Sequence, residues 1–201
     1  MSPGSFSFSL AWDEDEGDMR ASGPGDAEFL TTLNQNAHIS LLKRIHIPKK
    51  RLRTVLNDVE DIVKQMAPFQ VAISPTVRKS RSLSVIFLKI ADSTTSPPSW
   101  SSNPQTPTLS TLRSCVMKIF NDPLKLWSED ETLTYHPHLT LRRYCNPQNI
   151  TEEAQICSEA IQAHVGPFRG QLGLVIRGIT LFKDTRLGPR VVKHFPFGGQ
   201  Y

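Results

Sequence analysis

Apolar residues recur along this chain at two periods. Between residues 5 and 12, Phe6, Phe8 and Leu10 alternate with serines, the period-two pattern of a strand with one buried face. The stretch 13–28 breaks the alternation. It is acidic and Gly-rich and reads as a mobile segment. A strand is predicted over about 36–46. Pro48 then opens a helix, where its missing N–H costs nothing. Leu52, Val55, Leu56, Val59, Ile62, Val63 and Met66 form the helix's apolar stripe at a period of about 3.6, and Pro68 stops it. Phe69–Ser74 and Ser82–Ile90 read as strands, the second apolar enough to be central. Residues 92–108 are rich in Pro, Ser and Thr, the composition of a disordered insertion. A second helix is predicted over Ser110–Phe120, with Leu112, Val116 and Ile119 on one face. A strand follows over 137–143. Thr151 caps a third helix that has Glu152 and Glu153 in its first turn and Gly166 past its end. Phe168–Lys183 and Pro189–Phe197 close the chain as strands.

The same plan is traversed twice: motif strand, helix and two strands, then helix, motif strand, helix and two strands. Such duplication predicts two α+β lobes with a cleft between them and the two motif strands facing each other across it. Each half carries one version of a tetrapeptide, His38-Ile39-Ser40-Leu41 and His138-Leu139-Thr140-Leu141. In a strand, side chains alternate faces, so His38 and Ser40 share one face while Ile39 and Leu41 turn to the core. His138 and Thr140 stand in the same relation to Leu139 and Leu141. Residues 1–30 are read as an N-terminal strand and acidic segment. Residues 31–201 are read as one bilobal domain interrupted by the 92–108 insertion.

Charge sharpens this picture. The chain carries +4 overall, yet residues 1–30 hold seven acids and one base, a net of −6, so the remainder carries +10. A body of that sign suits a phosphate-bearing partner, and it is also ordinary solubility charge. Lys49, Lys50, Arg51 and Arg53 crowd the first helix start, where the helix dipole disfavours them; they serve a ligand or are solvated. Arg78, Lys79 and Arg81 read as a basic turn. The three cysteines, Cys115, Cys145 and Cys157, are an odd count without a CxxC spacing, which argues against a disulfide framework or structural zinc. No apolar run approaches a membrane span of roughly 18 residues, and no secretory signal pattern is present. An intracellular protein, cytoplasmic or nuclear, without membrane contact and monomeric, is expected.

Histidine titrates near neutrality, so one imidazole can accept a proton while another donates one. Two of them beside hydroxyls suit phosphodiester cleavage: one ring activates a nucleophile, the other protonates the leaving oxygen, and Ser40 and Thr140 hydrogen-bond the non-bridging oxygens. Arg142 lies two residues past Thr140, so a regular strand puts it on the His138 face as a phosphate fork. Tyr135 is either a stacking platform for a base or a core or rim aromatic. His136 and His138 lack further partners at ligand spacing, and no metal or cofactor is expected. His46, His164 and His194 show no partner pattern and read as surface or packing residues.

The paired motifs resemble those of the 2H phosphoesterase superfamily, within it the 2′-5′ RNA ligase/LigT-like and cyclic phosphodiesterase branch. The similarity runs from about Ala37 to Phe197. Tyr135 to Leu141 resembles that family's aromatic-x-Pro-His-x-Thr-Leu motif, and Val175 to Phe182 with Gly188-Pro189 its closing hairpin. Ser40 departs from the commoner threonine but keeps the hydroxyl. The resemblance implies an α+β fold of two pseudo-symmetric lobes of antiparallel sheet plus helices around a central cleft. It implies metal-independent hydrolysis of 2′,3′-cyclic phosphates or 2′-5′ linkages in nucleotides or RNA, with ligation as the reverse reaction. His38 is then the acid and His138 the base, with Ser40, Thr140 and Arg142 on the phosphate and Tyr135 on the substrate. A non-catalytic module that binds a nucleotide or RNA end in the same cleft is the alternative.

Overall fold

The structure is a computed structural model. It describes residues 4–12, 25–34, 37–80, 82, 84–91, 108–120, 127–128, 135–143, 145–146, 148–166, 170–185 and 188–198. In chain order the elements are β1 (Gly4–Ala11), α1 (Asp26–Leu33), β2 (His38–Ile47), a 3-10 turn (Lys49–Arg51) leading into α2 (Leu52–Val63), β3 (Phe69–Ser80) and β4 (Val85–Ala91). They continue with α3 (Leu109–Phe120), β5 (Trp127–Ser128), β6 (His138–Arg143), α4 (Ile150–Val165), β7 (Leu172–Ile176), β8 (Gly178–Thr185) and β9 (Gly188–Pro196). The strands run in the order β7-β3-β4-β6-β2-β1-β8-β9, antiparallel at every pairing, with β5 on β2.

One face of this sheet carries the helices. On the β2-β1-β8-β9 side, α2 buries Val55, Val59 and Val63, spaced four apart as its stripe predicts. Phe8 of β1 meets Phe120 of α3 and Phe195 of β9 at 6.2 and 6.4 Å between ring centroids. Burial of each such side chain contributes about 1.5–3 kcal/mol. On the β6-β4-β3-β7 side, α4 buries Ala154, Cys157, Ile161 and Val165. The fold is therefore α+β with two lobes, as expected.

The halves of the sequence are not the lobes, however. The hairpin β3-β4 of the first half pairs with β6 of the second, and β8-β9 of the second half joins β2 through β1. The motif strands are direct neighbours rather than opposite walls: His38 pairs with Thr140 and Ile39 with Leu139. The long apolar stretch predicted as one strand over Phe168–Lys183 is the crossing point. It breaks at Arg177, so that β7 pairs β3 in one lobe and β8 pairs β1 in the other. The Arg177 N–H donates to Ala11 O, and the Phe197 N–H to Arg177 O, which ties down the switch.

Other differences have local causes. The stretch 13–28 reads as mobile, yet Asp26 opens α1. Its carboxylate, 1% exposed, accepts from His164 Nε2 at 2.8 Å and from the Gly173 N–H at 2.9 Å. A charge can be buried when paired and hydrogen-bonded in this way. His164 also stacks on Phe29, with centroids 4.0 Å apart, so it clips α4 to α1 as a packing residue whose partner Asp26 no local pattern reveals. Helix α4 begins one residue before Thr151, and the Thr151 hydroxyl accepts from Lys79 Nζ at 2.8 Å instead of capping. Arg78 and Lys79 lie within β3, not in a turn, because β3 runs on past Pro75 through a register shift between Ile73 and Val77. Residues 13–24, Arg81 and the insertion over 92–107 lie outside the described residues. All three cysteines are free thiols, with Cys145 and Cys157 buried. Among the described residues no helix is long and apolar enough to cross a membrane.

Candidate active site

Strands β2 and β6 pair at His38 and Ile39, and a cleft of about 980 Å³ lies beside this seam, with neither His38 nor Ser40 among its lining residues. His138 and Thr140 line it from β6, Val85, Phe87, Lys89 and Ile90 from β4, Lys43 and Arg44 from β2, and Tyr135, His136 and Pro137 from the segment leading into β6.

The register fixes the motif geometry. His38 and Thr140 are directly opposite, which sets their Cβ atoms about 4.5–5.5 Å apart. His138, two residues from Thr140 on the same face, is diagonal to His38, a separation of about 7–8 Å between Cα atoms. Two rings at that spacing can reach a single phosphate between them. Continuing the register brings Ser40 level with His138, so each histidine stands beside the hydroxyl of the other motif. Tyr135 Oη donates to Ser40 O at 3.2 Å, which ties the two motif segments together.

His138 is held in one state. Its Nδ1 lies 2.8 Å from His136 O. A carbonyl only accepts, so Nδ1 carries the proton and Nε2 keeps its lone pair. Burial lowers the ring's pKa from 6.5, the His136 carbonyl bond opposes this, and the charges of Lys43 and Arg143 lower it further. Phe87 meets the ring edge-on at 5.2 Å. His138 is therefore neutral at pH 7, with Nε2 as an acceptor. Thr140 is 1% exposed, and its Oγ1 finds no hydrogen-bond partner among the described residues. Such a buried hydroxyl costs about 1–3 kcal/mol and calls for a reason.

Arg142 does not join this site. The pairing of β6 with β4 shifts between Ile86 and Phe87: Thr140 faces Phe87, but Arg142 faces Ile86 and Arg143 faces Val85. The extra residue in β6 reverses the alternation. Arg142 consequently turns to the helix side and pairs with Glu153 of α4 at 3.2 Å. Arg143 takes the cleft position and donates to Ser40 Oγ at 3.4 Å. Tyr135 lines the cleft as an aromatic, with Arg113 stacked at 4.6 Å on one face of its ring.

Sequence reasoning misses Lys43, Arg44, Phe87, Lys89 and Arg143. Two register shifts of β2 against β1, between Ser40 and Leu42 and between Leu42 and Ile45, turn Lys43 and Arg44 into the cleft. One signal is readable: strict alternation from His38 would put apolar Leu42 on the polar face, which is the mark of a bulged strand. Arg44 has φ 52, a left-handed conformation that costs a non-glycine residue on the order of 1–3 kcal/mol. Asp184, which accepts from Ser5 Oγ at 2.9 Å, is the one carboxylate among the described lining residues. Those residues include no cluster of three or more groups able to hold a metal.

No family model matches the chain, and no curated protein matches it. Solved structures do. The apo crystal structure of E. coli LigT is 12% identical, with 99% of this chain and 100% of that one covered, at a TM-score of 0.55. TT0787 of Thermus thermophilus is 14% identical over 98% of this chain and 100% of its own, at 0.56. A structure described as a phosphoesterase is 13% identical over 98% and 99%, also at 0.56. E. coli LigT has further been crystallised with ATP, 3′-AMP and NADP+. The likeness spans both lobes, and this chain has the LigT-type phosphoesterase fold.

Proposed function

We propose that this chain is a member of the 2H phosphoesterases that hydrolyses 2′,3′-cyclic phosphates or 2′-5′ linkages of nucleotides or RNA by paired-histidine catalysis. The observation that carries the proposal is the seam between β2 and β6. There a neutral His138 with its Nε2 lone pair available and the orphaned Thr140 hydroxyl line a cationic cleft, and the register sets His38 opposite Thr140 on the same sheet face. His138 Nε2 takes a proton from water as its oxygen attacks phosphorus. The bond from phosphorus to the ribose oxygen breaks, and His38 protonates that oxygen. Thr140 and Ser40 donate to the non-bridging oxygens, and Arg143 and Lys89 balance their charge. The nucleotides bound to LigT support a nucleotide or RNA end as the ligand. The cationic lining supplies the charge a metal would otherwise supply, so the reaction is metal-independent.

The test is hydrolysis of 2′,3′-cyclic nucleotides in EDTA by the wild type, His38→Ala and His138→Ala. Each imidazole is worth roughly 10²–10⁴ in rate. Activity that survives either replacement, or that needs a divalent metal, rules the mechanism out. Tight nucleotide binding without turnover in the wild type marks a binding module instead.

A further inference from the structure

Register carries the sheet face of the motif histidines outward from β2. Ser40 pairs with Ser9 of β1, Ser9 with Thr180 of β8, and Thr180 with His194 of β9. Directly paired residues share a face, so these side chains form one row leading away from the seam. It is the face of Asp184, which follows Thr180 by regular alternation along β8 and lines the cleft. The neighbouring pair on that face is Ala11 with Gly178, and continuing the register brings Ala11 level with His38. Beyond His38 the floor is therefore Ser9, Ala11, Thr180 and Gly178, none larger than threonine, over the roughly 10 Å that separate β2 from β8.

An imidazole closes this floor on its far side. His194 Nδ1 lies 3.0 Å from Thr180 Oγ1, and the ring leans over Gly178, with Cε1 3.1 Å from where a Cβ would stand. An edge-strand histidine that served only solubility would extend into water; this exposed one is turned back along the sheet and held by one nitrogen, which leaves Nε2 for another partner. Ser9 is 7% exposed, yet its hydroxyl makes no hydrogen bond among the described residues. A buried hydroxyl of that kind calls for a partner. We infer that this floor receives the nucleoside that bears the leaving oxygen, and that His194 is a specificity-determining residue hydrogen-bonded to it. In-line displacement sets the leaving oxygen opposite the attacking water. With His138 of β6 activating the water, the leaving side is that of His38, and the small-residue floor is the next surface beyond it. This rests on the paired-histidine reading proposed above.

The test measures binding, so it does not depend on turnover. Adenosine 3′-monophosphate and inorganic phosphate are titrated in EDTA at one salt concentration into the wild type and His194→Ala, with thermal melts to establish that the variant is folded. The wild type is expected to bind the nucleotide about tenfold or more tighter than phosphate, and His194→Ala to reduce that ratio about two- to tenfold, the loss of one hydrogen bond. In NMR spectra of the wild type with ring-labelled histidine, the His194 signal is expected to shift with the nucleotide and to stay in place with phosphate. A wild type that binds both ligands equally, a folded His194→Ala that keeps the ratio, or a His194 signal that does not respond to the nucleotide overturns the subsite. Failure of the wild type to hydrolyse cyclic phosphates would instead overturn the catalytic reading and leave this comparison standing.

Discussion

Replacing Thr140 by valine separates the needs of the fold from those of the site. Valine has the same branched shape and suits a strand, so β6 keeps its packing. What changes is Oγ1, which is buried without a partner among the described residues. An unmade hydrogen bond of this kind costs the folded state about 1–3 kcal/mol. Thr140→Val should recover much of that, and for a domain of this size each kcal/mol raises the melting temperature by about 2–4 °C. The same hydroxyl is assigned to a phosphoryl oxygen. Hydrogen bonds to charged groups are worth about 1.5–3 kcal/mol, so its loss should lower kcat/KM by about 10- to 150-fold. Thermal melts and cyclic-nucleotide hydrolysis on one preparation read both effects. A variant that melts below the wild type shows that the fold uses the hydroxyl. One that melts higher but turns over normally shows that the substrate does not.

Three more outcomes follow from the geometry. Because burial and the flanking cations lower the His138 pKa from 6.5, the acid limb of kcat/KM should fall below pH 6.5, and added salt should move it slightly upward. The unfolded chain binds more protons in that window, so stability should rise with pH up to about 6.5, and His138→Gln should flatten this slope in pH-resolved urea melts. Arg143→Ala should cost activity at least about tenfold, whereas Arg142→Ala, which breaks a partly exposed pair with Glu153, should cost only about 0–1 kcal/mol of stability; the reverse ordering would reinstate a regular, unbulged β6. Asp26→Ala leaves His164 and the Gly173 N–H without their buried acceptor and should destabilise by about 3–5 kcal/mol in denaturant melts; a loss under about 1 kcal/mol would mean that α1 is held by packing alone.

What is legible in the sequence is what depends on local periodicity. The motif strands, the apolar stripe of α2 and the turn of His138 and Thr140 to a common face follow from alternation at two or 3.6 residues. Pairing partners are not legible. Nothing local says that β3 and β4 join β6 rather than β2, because that choice is made by long-range packing. Helix α1 is hidden because an acidic stretch reads as solvated until the His164 and Gly173 partners of Asp26, more than a hundred residues away, are known.

The same division runs through the site itself. The proposed catalytic pair, His38 and His138, sits where the strands are regular: His38–Thr140 and Ile39–Leu139 are in simple register, which gives the two rings a fixed separation. The cations come from the places where register slips, Lys43 and Arg44 from the β1–β2 bulges and Arg143 from the β6 bulge. A regular strand offers every second side chain to a cleft, too sparse and too polar-apolar constrained to gather charge around one point. A bulge adds a residue and re-aims those beyond it, so adjacent positions such as Arg142 and Arg143 reach opposite faces. Alternation therefore identifies groups that must be held at a set distance and misassigns those that set the electrostatic field. Arg142, which alternation selects, and Arg143, which the bulge delivers, differ by that one residue.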